Sequence, residues 1–336
     1  MPVRAGGHSS FLQLAKESTY GTAPAAATAK YETTDFDFDA NQSTLEDPSV
    51  STLGMFPRAV EQGVQFATQK FGVRVGFEGF EEIWRMLLPT YSSAVTDTTA
   101  RDHTFKEGVS LNSYTLEESI GNIPTSKVTR FVGAYLTGFR FQMAGSSLMV
   151  AQIETASFGA PVENQTPMTT IAAANLVPIP FHRLLRSSGT IEDGSGRAFG
   201  SIYVNSLGLS VQIPHLTDDA YLGSVWADSP MRSGIAKAPI DVEWAWDASN
   251  YVLMNRLLTN IPGSLKFTFQ HPTIVGSVSA KRELEIVASS IASARYGKAV
   301  QGAGRWTQRA SYALAYNASD ATALKIRTRN ALAALA

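Results

Sequence analysis

Apolar and polar residues alternate with period two in segment after segment, and this pattern limits the fold more than any other feature of the sequence. The side chains of a β-strand point alternately to its two faces, so each such stretch predicts a strand with one buried face. The chain is therefore predicted to be mainly β. The clearest stretches are 35–39, 73–78, 139–143, 207–213, 241–246 and 265–269.

Two short segments have the spacing of an amphipathic helix instead. The first, Phe80–Leu88, is followed by Pro89, which cannot continue a helix. The second, Ser249–Leu258, begins with a serine suited to an N-cap. Each follows an alternating strand and ends in Leu-Leu, at positions 87–88 and 257–258. The sequence thus predicts two α-helices in matching contexts, 170 positions apart.

The strands around these helices also match in order, which indicates a tandem duplication. We predict two β-sandwich or barrel units, each with one flanking α-helix. Residues 1–160 form the first unit with an N-terminal arm, the Pro-rich stretch 161–185 is a linker, and 186–336 form the second unit with an Ala-rich helical or flexible tail from Asp320. The matching segments are 35–40 and 207–213, 114–118 and 265–269, and 148–158 and 306–316.

Each predicted unit contains a long loop with apolar residues, at 45–64 and 215–238. Long loops with apolar tips inside a compact unit usually contact a partner. We therefore regard these apolar residues as candidate contacts with another molecule. They are Met55, Phe56, Tyr221, Leu222, Trp226 and Met231.

Charge and cysteine content narrow the function classes. The 28 basic and 29 acidic residues give a net charge of -1, without the basic excess that a dedicated nucleic-acid binder uses to neutralise phosphates. The absence of cysteine excludes disulfides, thiol nucleophiles and thiolate metal sites. No apolar run is long enough for a membrane segment, so we expect a protein of an aqueous compartment.

The strongest candidate for site chemistry is the segment 35–46, whose acids fall at positions 1, 3, 5 and 12 of a calcium loop. Ala40 occupies the position at which that loop needs glycine, and Phe36 and Phe38 suit a strand. We interpret the segment as a strand with Phe towards the core and Asp towards water. The five histidines lack metal-ligand spacing and are predicted to be solvated or loop residues. The adjacent acids Glu81-Glu82 and Glu117-Glu118 are predicted on solvated faces. We therefore predict no enzyme activity and no cofactor.

Several sequence segments, in their order along the chain, resemble those of the tail tube proteins of phages with long, non-contractile tails. The resemblance spans most of the chain but not the Ala-rich end. The segments are Glu17-Ser-Thr-Tyr-Gly-Thr22, the strand and helix 76–89, the segment 103–118 with its His-Thr-Phe, the strands 131–141 and 148–159, and the second half from 201 to 317.

The resemblance implies a structural virion protein that is assembled in the host cytoplasm. Strands of neighbouring units join into a β-lined ring, and rings stack into a tube. With two units per chain, the expected ring is a pseudo-hexameric trimer, with a hexamer of chains as the alternative. DNA passes through the lumen without specific binding, and tape measure, tail-tip and terminator proteins are the expected partners.

Site residues follow from this expectation as candidates. Acidic or neutral side chains should line the lumen, because a basic stripe would hold phosphate. The apolar loop residues named above are then candidate contacts between rings. The candidate lumen residues are Asp35, Asp37, Asp39, Asp241 and Glu243.

Two other functions stay open. A head–tail or tail-terminator component would form a single ring, and a calcium-binding β-sandwich lectin would use the aspartates of segment 35–46.

Overall fold

The computed structural model of the chain describes residues 11–46, 60–97, 99–119, 128–157, 159–169, 176–185, 190–193, 204–215, 232–245, 263–275, 280–300 and 306–335. The predicted mainly β fold is confirmed, since almost all the regular structure in these ranges is strand. Five of the six segments with period-two alternation fall on strands over nearly all of their described residues, as their pattern predicts. The segment 73–78 does so only at its start, because the strand Val60–Arg74 ends there. Among the described helices, none combines the length and the apolar run that crossing a membrane requires.

The first ten elements lie in the N-terminal half of the chain. They are β1 (Phe11–Lys16), β2 (Ala29–Glu46), β3 (Val60–Arg74), α1 (Glu81–Leu87), β4 (Thr90–Val95), β5 (Arg101–Lys106), β6 (Tyr114–Ser119), β7 (Val128–Ala144), β8 (Val150–Ser157) and β9 (Val162–Gln165).

The C-terminal half supplies a short 3₁₀ helix at Phe181–Arg183 and seven further strands. They are β10 (Thr190–Asp193), β11 (Val204–Gln212), β12 (Pro239–Ala245), β13 (Gly263–Ile274), β14 (Lys281–Val300), β15 (Trp306–Leu314) and β16 (Leu324–Asn330).

Six strands of the N-terminal half close into an antiparallel barrel, in the order β1-β2-β3-β8-β7-β6 and back to β1. Closure removes the exposed strand edges that an open sheet of this size would present. The barrel encloses apolar side chains such as Leu14, Phe71 and Phe139, all with 1% or less of their surface exposed. Beyond Val128–Ala134, the same β7 continues and pairs with β11.

Through β7 and β11 the barrel joins the strands of the C-terminal half in one hydrogen-bonded sheet. From β11 the sheet continues through β12, β15 and β14. One core cluster accordingly includes side chains from both halves, among them Trp84, Phe141, Leu209 and Trp244. Within the described residues, the two halves are therefore packed into a common core.

Helix α1 confirms one of the two helix predictions. Its Trp84 side chain lies against Phe80 and Phe139, with ring centroids 4.8 and 5.3 Å away. The prediction that Glu81 and Glu82 are solvated is wrong, because the exposed fractions of these residues are 3% and 6%. The helix is covered on every side, so its polar residues are buried along with its apolar face. The second predicted helix, 249–258, lies outside the described residues.

The predicted helical or flexible tail from Asp320 is wrong over Leu324–Asn330. This segment forms β16, which pairs with β14 on one edge and with β5 of the N-terminal half on the other. Leu324 and Ile326 are buried while Lys325 and Arg327 are only partly covered, which is the alternation of a half-buried strand. Alanines at either end of the strand hid that alternation at the sequence level.

Candidate functional site

The candidate lumen acids lie on two strands and share one face of the sheet. Asp35, Asp37 and Asp39 are exposed on β2, while Phe36 and Phe38 point to the opposite side and pack on the core. On β12, Asp241 is exposed and Glu243 is half-buried. The predicted orientation of β2, with Phe towards the core and Asp towards water, is confirmed.

Strand pairing connects these two strands and continues through two more, which gives an unbroken path of eight strands, β2-β3-β8-β7-β11-β12-β15-β14. Directly paired residues of an antiparallel sheet point to the same side, so the register shows which side chains share a face. One row of successive partners is Asp35, Gly72, Gln152, Arg140 and Ser210. Another row is Gln142, Gly208, Asp241, Ser311 and Arg295.

We call the side of the eight strands that carries these rows the polar face. Over β7, β11, β12, β15 and β14 it is concave and forms a groove of about 490 Å³. Small residues such as Ser206, Gly208 and Ser210 line the groove on β11, and arginines stand on both sides of it: Arg140 on β7, and Arg295 and Arg309 on β14 and β15. The groove is therefore shallow along β11 and charged along its sides.

Charges on the polar face are nearly balanced. Glu243 accepts a hydrogen bond of 2.6 Å from Nε of Arg309, and Nζ of Lys70 lies 3.6 Å from the Glu154 carboxylate. Both pairs are at least partly solvated, so each contributes at most about 1 kcal/mol to stability. The register places acids and bases together on this face. The acids include Asp35, Asp37, Asp39, Glu154, Asp241 and Glu243, and the bases include Lys70, Arg74, Arg140, Arg295 and Arg309.

The spacing of the aspartates on β2 does not suit a calcium ion. Alternate residues on an extended strand are about 7 Å apart, whereas Ca²⁺ gathers six to eight oxygens at about 2.3–2.6 Å. Asp35, Asp37 and Asp39 thus form a line along the strand instead of a cage. Within the described ranges, no group of three or more His, Asp or Glu side chains is placed to hold a metal ion.

Buried acids lie away from the polar face. The side chain of Glu117 is fully buried and accepts hydrogen bonds from Nε2 of Gln13 at 2.7 Å, Nε of Arg130 at 2.6 Å and the backbone N–H of Met168 at 2.9 Å. The expectation that Glu117 and Glu118 are solvated is wrong, because Glu118 is also half-buried and burial raises its pKa to about 7. The Glu117 cluster ties β1, β6 and β7 to the segment after β9.

A second buried cluster joins α1 to the end of β16. Glu81 accepts a hydrogen bond from Nδ2 of Asn330, which also donates to the Phe77 carbonyl at 3.2 Å. Burial raises the pKa of Glu81 to about 7, and the hydrogen bonds it accepts only partly oppose that rise. His103 of β5 is fully buried beside this cluster and shares a 2.9 Å hydrogen bond with the Tyr91 hydroxyl. The prediction of a solvated or loop histidine is therefore wrong for His103.

The candidate loop residues cannot be placed in the same way. Met55 and Phe56, and the four candidates between Tyr221 and Met231, lie outside the described residues. Sequence reasoning also missed the arginines of the groove. Arg309 occupies a polar position of an alternating strand, so a search for charged residues on β15 would have found it; Arg295 follows a bulge that no periodicity predicts.

The comparison with known proteins identifies no family for this chain. No protein-family model matches the chain, and no curated protein matches it.

Proposed function

We propose that this chain is the structural subunit of a phage tail tube and that three copies close into a ring of six similar units. The observation that carries the proposal is the polar face. It spans eight strands that pair one after another, and these eight consist of two four-strand series with the same pairing order. The sequence segments that resemble tail tube proteins also support the proposal.

The pairing order supports a tandem duplication. In the first series the strands follow as β2-β3-β8-β7, and in the second as β11-β12-β15-β14. Flanking strands correspond as well, because β1 pairs with β6 next to β7, and β10 pairs with β13 next to β14. Likewise β9 pairs with β7, and β16 with β14. The three pairs of matching segments found in the sequence fall on β2 and β11, on the flanking strands β6 and β13, and on β8 and β15.

Three β-bulges recur at equivalent places, and this is a sharper argument than strand order. A bulge inserts one residue into one strand and is set by local structure, so three coincidences by chance are improbable. One bulge lies in the strand that opens each series, at Thr34 of β2 and Asn205 of β11, 171 positions apart. Two lie in the long strands β7 and β14. One of these places residues 132–133 opposite Thr115 and residues 289–290 opposite Ser264, and the other is at Thr137 and Ala294; both are 157 positions apart.

The size of the polar face suits a conduit for DNA. Eight strands from each of three chains would close a barrel of about 24 strands. At a strand spacing of about 4.8 Å and a tilt of about 40°, its backbone diameter would be about 48 Å. Side chains that project about 5 Å inward leave an opening of about 38 Å, which is wider than a DNA duplex.

The charge of the polar face agrees with passage without adhesion. Tight binding to DNA needs an array of Lys and Arg that is free to neutralise phosphates. Here Lys70 has Glu154 nearby, and Arg309 has Glu243. A lining of this kind presents DNA with a surface close to neutral.

A projecting ribbon offers a contact between subunits or rings. Residues 41–46 of β2 pair with 60–66 of β3, beyond the point at which β3 leaves β8 at Ala67, and no other described strand pairs with them. A two-stranded ribbon without further strands is marginally stable in water. We infer that a neighbouring subunit covers it in the assembled particle.

Electron microscopy of the purified full chain tests the proposal. We expect rings with threefold symmetry and, at higher concentration, stacked tubes. Single rings that never stack would favour the head–tail or tail-terminator function. A protein that stays monomeric at millimolar concentration would overturn the proposed function.

A further inference from the structure

We infer that β14 of one copy pairs with β2 of the next copy, in the register that β7 and β11 adopt within one chain. The partner is a second copy of this chain, and the inference rests on the proposed ring. The internal β7–β11 pair is the junction between the two similar series. If the two series are equivalent, β14, which ends the second series, should pair with β2, which begins the first series of the next copy, in the same way as β7 pairs with β11.

Both strands present an edge where such a pair can form. Beyond Glu32, β3 is the only described partner of β2, and beyond Ile291, β15 is the only described partner of β14. Within the chain, the equivalent edges of β11 and β7 are the ones that pair with each other. A long open strand edge readily pairs with another chain, and a head-to-tail contact of this kind closes a ring.

The equivalences fix the register. Arg140 pairs with Ser210 within the chain. By the bulge offsets, Arg140 of β7 corresponds to Gly297 of β14, 157 positions later, and Ser210 of β11 corresponds to Asp39 of β2, 171 positions earlier. The equivalent pair between copies is therefore Gly297 of one copy opposite Asp39 of the next. The neighbouring pair of Gln142 with Gly208 becomes Ala299 opposite Asp37 by the same offsets.

Charge complementarity supports this seam. The β2 edge carries Asp37 and Asp39 on the polar face. In the inferred register Asp39 lies opposite Gly297, whose own partner on β15 is Arg309. The exposed Arg295 is then the diagonal neighbour of Asp39, at the distance of about 7–8 Å that a long side chain bridges. Arg295 of one copy therefore lies near Asp39 of the next.

Disulfide cross-linking tests the register directly, because the chain has no cysteine of its own. The test variant carries Asp39→Cys and Gly297→Cys. A side chain fits at Gly297, since an added Cβ there meets no atom within 4 Å. Opposed residues of an antiparallel pair have Cα atoms about 4.5–5.5 Å apart, which a disulfide can span. Along the sheet of one chain the two positions are seven strands apart, so a disulfide between them joins two copies.

Two matched variants calibrate the result. Arg140→Cys with Ser210→Cys places the same chemistry at the equivalent pair within the chain, and it should form an internal disulfide even in dilute solution. Asp35→Cys with Gly297→Cys keeps both cysteines on the polar face but moves one by four residues, about 13 Å along the strand. That pair should stay reduced.

Oxidation of assembled protein, followed by a non-reducing gel and electron microscopy of the same sample, separates the outcomes. We expect a ladder of linked chains that ends at three for the test variant, and at least tenfold less product for the shifted variant. Rings or tubes without the ladder, or a ladder from the shifted variant instead, would overturn the register while the proposed function stands. A test variant and a parent chain that both fail to form rings would overturn both.

Discussion

Replacing the buried carboxylate of Glu81 by an amide should stabilise the protein above neutral pH. Burial raises the pKa of Glu81 from 4.5 to about 7, so the folded state binds a proton that the unfolded state releases between these values. Stability from this group is full below pH 4.5 and is lost as the pH rises through 7. At 1.36 kcal/mol per pKa unit, the native protein should lose about 2.5 kcal/mol between pH 5 and pH 8 through this residue alone.

Glu81→Gln removes that loss, because glutamine stays neutral and its side-chain oxygen can still accept the hydrogen bond from Asn330. Urea unfolding of dilute protein, followed by tryptophan fluorescence at pH 5, 6.5 and 8, measures the difference between variant and parent. Other titrating groups are common to both proteins and cancel. Glu118→Gln serves as the matched control, with a smaller effect because water screens a half-buried group. Parallel loss of stability in variant and parent from pH 5 to pH 8 would refute the reasoning.

Two further variants test the buried networks by thermal unfolding. Glu117→Ala leaves the Arg130 guanidinium and the amide of Gln13 without their acceptor, so we expect a loss of about 3–5 kcal/mol, with Glu117→Gln losing clearly less; equal losses would contradict this. Burial opposes the ionisation of Asp102, but the hydrogen bonds and charge of Arg329 outweigh it and lower the pKa of Asp102. Its contribution is present above pH 3.8 and is lost as the pH falls through the lowered value. Asp102→Asn should therefore destabilise by about 1–2 kcal/mol at pH 7, the usual size for a partly solvated hydrogen bond to a charged group, and by progressively less as the pH falls below 3.8; a loss that does not change with pH would count against the ion pair.

The local structure of this chain was predictable from its sequence, and the distant contacts were not. Alternation identified β7 and β11, because period two follows directly from strand geometry. The burial of Glu81 was not predictable, since its partner Asn330 is 249 positions away and reaches it only when β16 pairs with β5. Pairing between remote strands depends on the whole fold, whereas alternation depends on one segment.

The polar face was predictable only in part, for the same reason. The sequence identifies Asp37 and Asp241 as outward-facing residues of two strands, but it gives no register between those strands. The eight-strand path puts both on one face and adds Arg295 and Arg309, which the sequence search did not select.

The proposed duplication also explains why the two series differ most on the polar face. Equivalent core positions stay apolar, as in Phe36 and Leu207, because a buried position tolerates little change in polarity or volume. Equivalent positions on the polar face change charge: the partner of Asp37 is Lys70, whereas that of Gly208 is Asp241.

In a ring of three such chains, the packing of strands would therefore repeat six times around the axis, whereas the pattern of charges would repeat only three times. The two kinds of seam in this ring would be distinct as well, because Arg140 lies beside Ser210 within the chain, whereas the inferred register puts Gly297 of one copy opposite Asp39 of the next. A balanced lining needs acids and bases on the same face, and two diverged units in one chain supply both in a fixed order. Separate identical units could form the same barrel, but each position would then carry one charge six times around the lumen, and a single exposed arginine would become the basic ring that holds phosphate.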